Sequence, residues 1–290
     1  MRPIIEMATV QIDITNACTR SCSNCTRFCG HRSPYFMERD QFTRAINSLV
    51  EFPRMIGFCG GEPLLHPHFG HMTVYARSRI PKERLGLWTQ LPSGKEHFRG
   101  DICETFGHIF LNDHSRDDIL HAPVLVAAEE VIPDRAEMFL LTERCWEQEC
   151  WSASITPKGA FFCEVAAHLD LLFDGPGGWP VEPRWWMRTS KDYREQREEW
   201  CPKCGVALPL PRRPSMDGRD DISPGNLERL REISQKVRRG QFVISDLQMQ
   251  GQSGYPQQTY KDMVYRDRIA ARYGLYLLLN EQGYLSPMLR

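Results

Sequence analysis

Val10-Gln11-Ile12-Asp13-Ile14-Thr15-Asn16-Ala17-Cys18 leads into Cys22 and Cys25, which complete the spacing C-x3-C-x2-C. Residues 8–15 read as a strand, so the three cysteines sit on the loop that leaves it. About thirty-five residues on, Met55-Ile56-Gly57-Phe58 runs into Gly60-Gly61-Glu62-Pro63, again a strand followed by a tight loop. Three thiolates in one loop can hold an iron–sulfur cubane and leave one iron without a protein ligand. An open iron can bind a small molecule and pass it an electron.

Working outward, the spacing predicts a helix over 38–51, with Phe42, Ala45, Ile46, Leu49 and Val50 on one face. It predicts a strand at 54–58 and a helix at 67–79 opened by Pro67. Further strands are expected at 84–90, 107–111, 122–128 and 137–142. Strands alternating with helices make parallel β/α units, and six of them make an incomplete β/α barrel. Ligands of such folds sit at the carboxyl ends of the strands. The cysteine loop, the Gly60–Pro63 loop, Thr89 and Asn112-Asp113 all fall there.

After residue 143 the pattern changes. Residues 151–163 read as a β-hairpin turning at Pro157-Lys158-Gly159. An irregular loop follows at 174–186, and a charged helix at 191–200 delivers Cys201-Pro202-Lys203-Cys204. Pro209, Pro211, Pro214 and Pro224 mark 206–225 as a linker. A helix near 224–239, a strand at 241–246 and a long helix near 257–281 complete the chain. The expected division is 1–142 for the partial barrel, 143–205 for a cysteine-rich extension, 206–225 for the linker and 226–290 for a mainly helical tail.

Composition narrows the function classes. The 290 residues carry a formal net charge of -1, with 41% hydrophobic and 25% charged residues. That balance gives no pull toward nucleic acid or an anionic membrane, and no apolar run reaches the ~18–20 residues of a membrane span. The start, Met1-Arg2-Pro3-Ile4-Ile5-Glu6, lacks the apolar stretch of a signal peptide, which predicts a cytoplasmic protein. The 11 cysteines bunch as 18/22/25/29, 145/150/163 and 201/204, with Cys59 and Cys103 apart. In a reducing compartment such bunching points to metal ligands rather than disulfides.

The C-x3-C-x2-C loop followed by Gly-Gly-Glu-Pro resembles the radical S-adenosylmethionine (radical SAM) enzymes. The resemblance implies a [4Fe–4S] cluster on Cys18, Cys22 and Cys25 whose open iron chelates S-adenosylmethionine, reductive cleavage to a 5′-deoxyadenosyl radical, and removal of a hydrogen atom from a small-molecule substrate. It implies cofactor contacts from Gly60, Gly61, Glu62 and Pro63, with Thr89 and Asn112 near the carboxylate and ribose. It also implies an external one-electron reductant of flavodoxin or ferredoxin type. One departure stands out. The residue before the third cysteine is usually aromatic and packs near adenine; here it is Asn24, so either Phe28 substitutes or adenine is held differently.

The later cysteines resemble the auxiliary-cluster extensions called SPASM and, in shorter form, twitch. Five cysteines suit one auxiliary [4Fe–4S] cluster, held by Cys145 or Cys150 with Cys163, Cys201 and Cys204; structural zinc is the competing occupant. Relatives with one auxiliary cluster imply oxidation of a sugar or aminocyclitol-like substrate, with that cluster as electron acceptor. An epimerase would instead need a hydrogen donor, for which Cys103 and Cys29 are candidates. A peptide-modifying enzyme and a non-catalytic iron–sulfur or zinc scaffold are the other readings. Trp179, Trp185, Trp186 and Tyr193 could stack on a carbohydrate or simply fill a core.

Overall fold

The structure is a computed structural model describing residues 1–112, 114, 119–150 and 153–247, without the side chains of residues 149 and 150. The helix expected at 257–281 lies outside the described residues, as does Asp113. Strands β1 (Thr9–Thr15), β2 (Met55–Gly60), β3 (Leu85–Thr89) and β4 (His108–Leu111) are parallel neighbours. Helices α1 (Arg39–Ser48), α2 (Phe69–Arg79) and α3 (Arg99–Thr105) connect them. A short β5 (Leu120–His121) precedes α4 (Ala128–Val131), α5 (Arg135–Glu143) and α6 (Glu147–Cys150). The hairpin β6 (Ser154–Thr156) and β7 (Gly159–Phe161) leads into α7 (Glu164–Phe173), and α8 (Arg194–Trp200) follows. The C-terminal described part holds β8 (Arg213–Pro214), β9 (Asp220–Ile222), α9 (Pro224–Leu230), α10 (Gln235–Arg238) and β10 (Phe242–Ile244).

The main sheet has the order β4-β3-β2-β1-β6-β7, parallel throughout except at the β6–β7 hairpin. The fold is therefore mixed α/β around a mostly parallel sheet. Among the described residues, the strands expected at 122–128 and 137–142 do not form. The apolar run at 137–142 is helical in α5, because Asp134 caps that helix by accepting from Glu137 N at 2.8 Å. The 122–128 stretch is a turn that enters α4, with one bridge from Leu125 to Ile222. The fifth parallel strand is β6, which pairs with β1 through Gln11↔Ser154 and Ile12↔Ile155. One sheet thus crosses the division expected at residue 142.

Alternation along the strands separates two faces. Ile12, Phe58, Leu87 and Ile109 lie on the helix side, where Phe58 meets Phe42 and Phe106 edge-on at 5.3 and 5.0 Å. Each such fully buried side chain stabilises the fold by roughly 1.5–3 kcal/mol. The opposite face runs through Gln11, Asp13, Gly57, Cys59, Gly86, Trp88, Phe110 and Ser154. Trp88 stacks on Phe110 at 4.3 Å there, while Gln11, Asp13 and Ser154 form a buried polar half. Trp185 and Trp186 are buried and donate to Ser48 Oγ and Ser48 O, and Tyr193 is fully buried. These three rings are core, not a stacking surface for sugar. Residues 206–225 are no loose connection either: Ser215, Asp220, Ile222 and Ser223 are buried against the cysteine loop and the 123–130 turn.

Candidate metal centres

The first cysteine loop leaves β1 at its carboxyl end and is laced to the Gly60–Pro63 loop by backbone bonds. Gly61 N donates to Thr15 O and Glu62 N to Ala17 O, both at 2.8 Å. The two glycines allow this approach. A Cβ on Gly60 (φ +136°) would stand 1.9 Å from Thr15 O, and one on Gly61 would stand 2.4 Å from Ala17 O. Glu62 is fully buried; it accepts from Leu64 N at 3.0 Å, Thr89 Oγ1 at 2.6 Å and Gln90 N at 2.7 Å. Burial outweighs those donors and lifts its carboxyl above the ordinary value. Glu62 and Thr89, both expected at a ligand, thus tie β3 to the glycine loop. Asn112 joins the same edge, its N–H donating to Thr89 O at 2.8 Å. Its Oδ1 meets His114, which meets His121 at 2.9 Å, which in turn reaches Ser23 O at 2.6 Å.

Cys18, Cys22 and Cys25 are partly exposed, whereas Cys29 is buried beneath them. The Cys29 thiol hydrogen-bonds Cys18 and Cys25, holding those two below the usual thiol range and its own pKa well above it. Burial, helped by the charges of Cys25 and Cys18, pushes Cys22 up to about 12. Cys103 lies on α3 in the helix layer, where burial raises its thiol; the structure does not bring it to this loop.

Sequence reading missed several residues here. Gln90, one past Thr89, donates from Nε2 to Cys18 Sγ at 3.1 Å and accepts from Arg20 at 2.6 Å. Asn24 (φ +49°) is buried by the C-terminal segment and not aimed at a ligand. Its N–H donates to Asp220 at 2.5 Å, its side chain donates to Asp221 at 2.8 Å, and it accepts from Asp221 N at 2.8 Å. Asp220 also meets His31 at 2.9 Å and Lys236 at 2.7 Å, and Lys236 donates to Cys22 O at 3.1 Å. Phe28 packs edge-on against His31 within the core and is not free to replace the missing aromatic. The only sequence signal was Asn24 itself, an amide where an aromatic was due.

The second set converges more fully. Cys145, Cys163, Cys201 and Cys204 line one cavity, walled by Phe162, Leu169, Trp200 and Val206. Burial, then mutual repulsion, raises the thiols of Cys145, Cys201 and Cys204. Such crowded thiols become thiolates only if a metal compensates their charge. Between the two sets lies a buried network. Arg27 donates to Asp13 at 3.1 Å and pairs with Glu164 and Gln11; Ser154 donates to Asp13. Burial, and then the neighbouring Glu164 charge, raise the Glu147 carboxyl well above the ordinary value. Among the described residues, no three His, Cys, Asp or Glu side chains are placed to grip a single metal ion. Cubane thiolates differ from such a set because each binds a different iron. No helix among the described residues is long and apolar enough to cross a membrane.

No protein-family model and no curated protein matches the chain. Among solved structures it is similar to selenomethionine BtrN in an open conformation, with 15% identity and a TM-score of 0.44 over 69% of this chain and 87% of that one. It is also similar to BtrN in complex with AdoMet and 2-DOIA, with 15% identity and a TM-score of 0.42 over 68% and 88% of the two chains.

Proposed function

We propose that the chain is a radical SAM enzyme that oxidises a small, polar substrate, with one auxiliary cluster taking up the electron. The observation that carries this reading is the placement of Cys18, Cys22 and Cys25 at the carboxyl edge of a parallel sheet, beside the glycine loop. When bound there, a [4Fe–4S] cluster with S-adenosylmethionine supplies a 5′-deoxyadenosyl radical able to remove a substrate hydrogen atom. The chain's own residues do the positioning. Gly60 and Gly61 bring the two loops together, Glu62 and Thr89 fix the end of β3, and Gln90 bonds to Cys18 Sγ. Pro63 starts the short helix Pro63–Leu65 that follows. An external reductant of flavodoxin or ferredoxin type would supply the first electron.

The second site is read as a cluster on Cys145, Cys163, Cys201 and Cys204. Cys145 is preferred because it lines the shared cavity; the Cys150 side chain lies outside the described residues. The buried polar half of the sheet, with Gln11, Asp13 and Ser154, suits a hydroxyl- or amine-bearing substrate better than an apolar one.

The test is anaerobic. With dithionite and S-adenosylmethionine, the reconstituted protein should release 5′-deoxyadenosine and Cys22→Ala should not. Product from Cys22→Ala would refute the first-site assignment. Cys201→Ala should lose about four irons yet still cleave S-adenosylmethionine. Undiminished iron in that variant would refute the second.

A further inference from the structure

The buried network between the two cysteine sets contains one group with an unused nitrogen. His168 lies on α7, one turn beyond Glu164, and is 1% exposed. Its Nδ1 is 2.8 Å from Glu164 O. A carbonyl only accepts, so Nδ1 carries the proton and the neutral ring keeps a lone pair on Nε2. That Nε2 has no hydrogen-bond partner among the described residues, while Asp13 Oδ1 stands 4.0 Å away.

We propose that His168 is the proton acceptor paired with the second cysteine site: it takes a proton on Nε2 when the cluster of that site takes an electron. This rests on the reading of Cys145, Cys163, Cys201 and Cys204 as cluster ligands. The chemistry balances for an alcohol substrate. Loss of the carbinol hydrogen atom leaves a carbon radical bearing a hydroxyl. Forming the C=O bond then releases one electron, to the cluster, and one proton, to His168.

The surroundings fit a ring that is neutral at rest and ready to charge. Burial is the largest influence and lowers the pKa of His168; the Arg27 guanidinium from the cysteine loop adds to that, while Asp13 on β1 and Glu164 on α7 oppose it. Glu147 on α6 and Cys59 on β2 face the same network, and burial raises both well above their ordinary values. A protonated Nε2 would turn the idle Asp13 contact into an ion pair. An electron arriving at the end of α7 near Cys163 would favour that charge further. Asp13 itself is held by Arg27 and Ser154, so it is placed to stabilise an imidazolium without moving.

The test is a redox titration of the second cluster in the reconstituted full-length protein, followed by electron paramagnetic resonance at several pH values. The signal is identified by its loss in Cys201→Ala. In the wild type the midpoint potential should fall as pH rises, the mark of proton uptake on reduction. His168→Asn keeps a donor for Glu164 O and should remove most of that pH dependence. His168→Gln provides a second variant should the first lose its cluster. A pH-independent wild type, or an undiminished slope in the variants, would overturn the proposal. Failure of the wild type to assemble a second cluster would instead bring down the reading beneath it.

Discussion

A methyl group at Gly60 would meet the Thr15 carbonyl at 1.9 Å, in a backbone region L-residues rarely enter. Gly60→Ala should therefore cost about 2 kcal/mol or more and part the glycine loop from the cysteine loop. Thermal unfolding and iron retention at the first site both read this; an unchanged Tm with full iron would contradict it. His66 offers a pH signature. Its Nε2 lies 3.1 Å from Met37 O and its Nδ1 3.1 Å from the His68 N–H that it accepts, so the neutral ring is fully used. Burial lowers its pKa to about 4 from 6.5. Its contribution is complete above about pH 6.5, where the unfolded chain is also neutral, and is lost as pH falls toward about 4. The loss is at most about 3 kcal/mol. Denaturant titrations of wild type and His66→Gln should diverge in slope over that window; parallel curves would count against it.

At the level of elements, β9 and α10 act as a clamp on the cysteine loop. Asp220 holds Asn24, His31 and Lys236, and Lys236 is 1% exposed. Asp220→Ala would leave that ammonium buried and unpaired, a loss of about 3–5 kcal/mol. Iron at the first site should fall while the second, far along the chain, is retained. An equal loss at both would show general unfolding instead. Burial raises the Asp220 carboxyl, but His31 and Lys236 outweigh it and hold it below the usual range. Its contribution is complete above the ordinary carboxylate pKa, where the unfolded chain is also ionised, and is lost as pH falls from there through the lowered folded value. This clamp was illegible in the sequence because its partners are some 200 positions apart and its prolines read as a linker. The four parallel strands and the helices α1 and α2 were legible because their apolar periods are regular, whereas the short α3 was not singled out. The 137–142 run misled because a short apolar stretch suits either a strand or a helix, and a cap at Asp134 decided it. The glycine loop was legible as a loop, but its closeness to Thr15 and Ala17 depends on strand pairing across forty residues.

Taken as a whole, the molecule places two cysteine sets on either side of a buried polar layer. Arg27, two residues after Cys25, bonds Glu164, the residue after Cys163. Neither partner was singled out from sequence, since a lone Arg and a lone Glu carry no spacing signal. Arg27→Met should strand Glu164 and Asp13 as unpaired carboxylates and cost about 3–5 kcal/mol. Chemical unfolding measures it, and a change under about 1 kcal/mol would mean that water or a proton takes over the site.

The central claim is that both cysteine sets hold iron–sulfur clusters. The most direct measurement is the iron, acid-labile sulfide and zinc content of the full-length protein after anaerobic reconstitution. The account predicts about eight irons and about eight sulfides per chain, with little zinc. A stoichiometric zinc with no sulfide would contradict it.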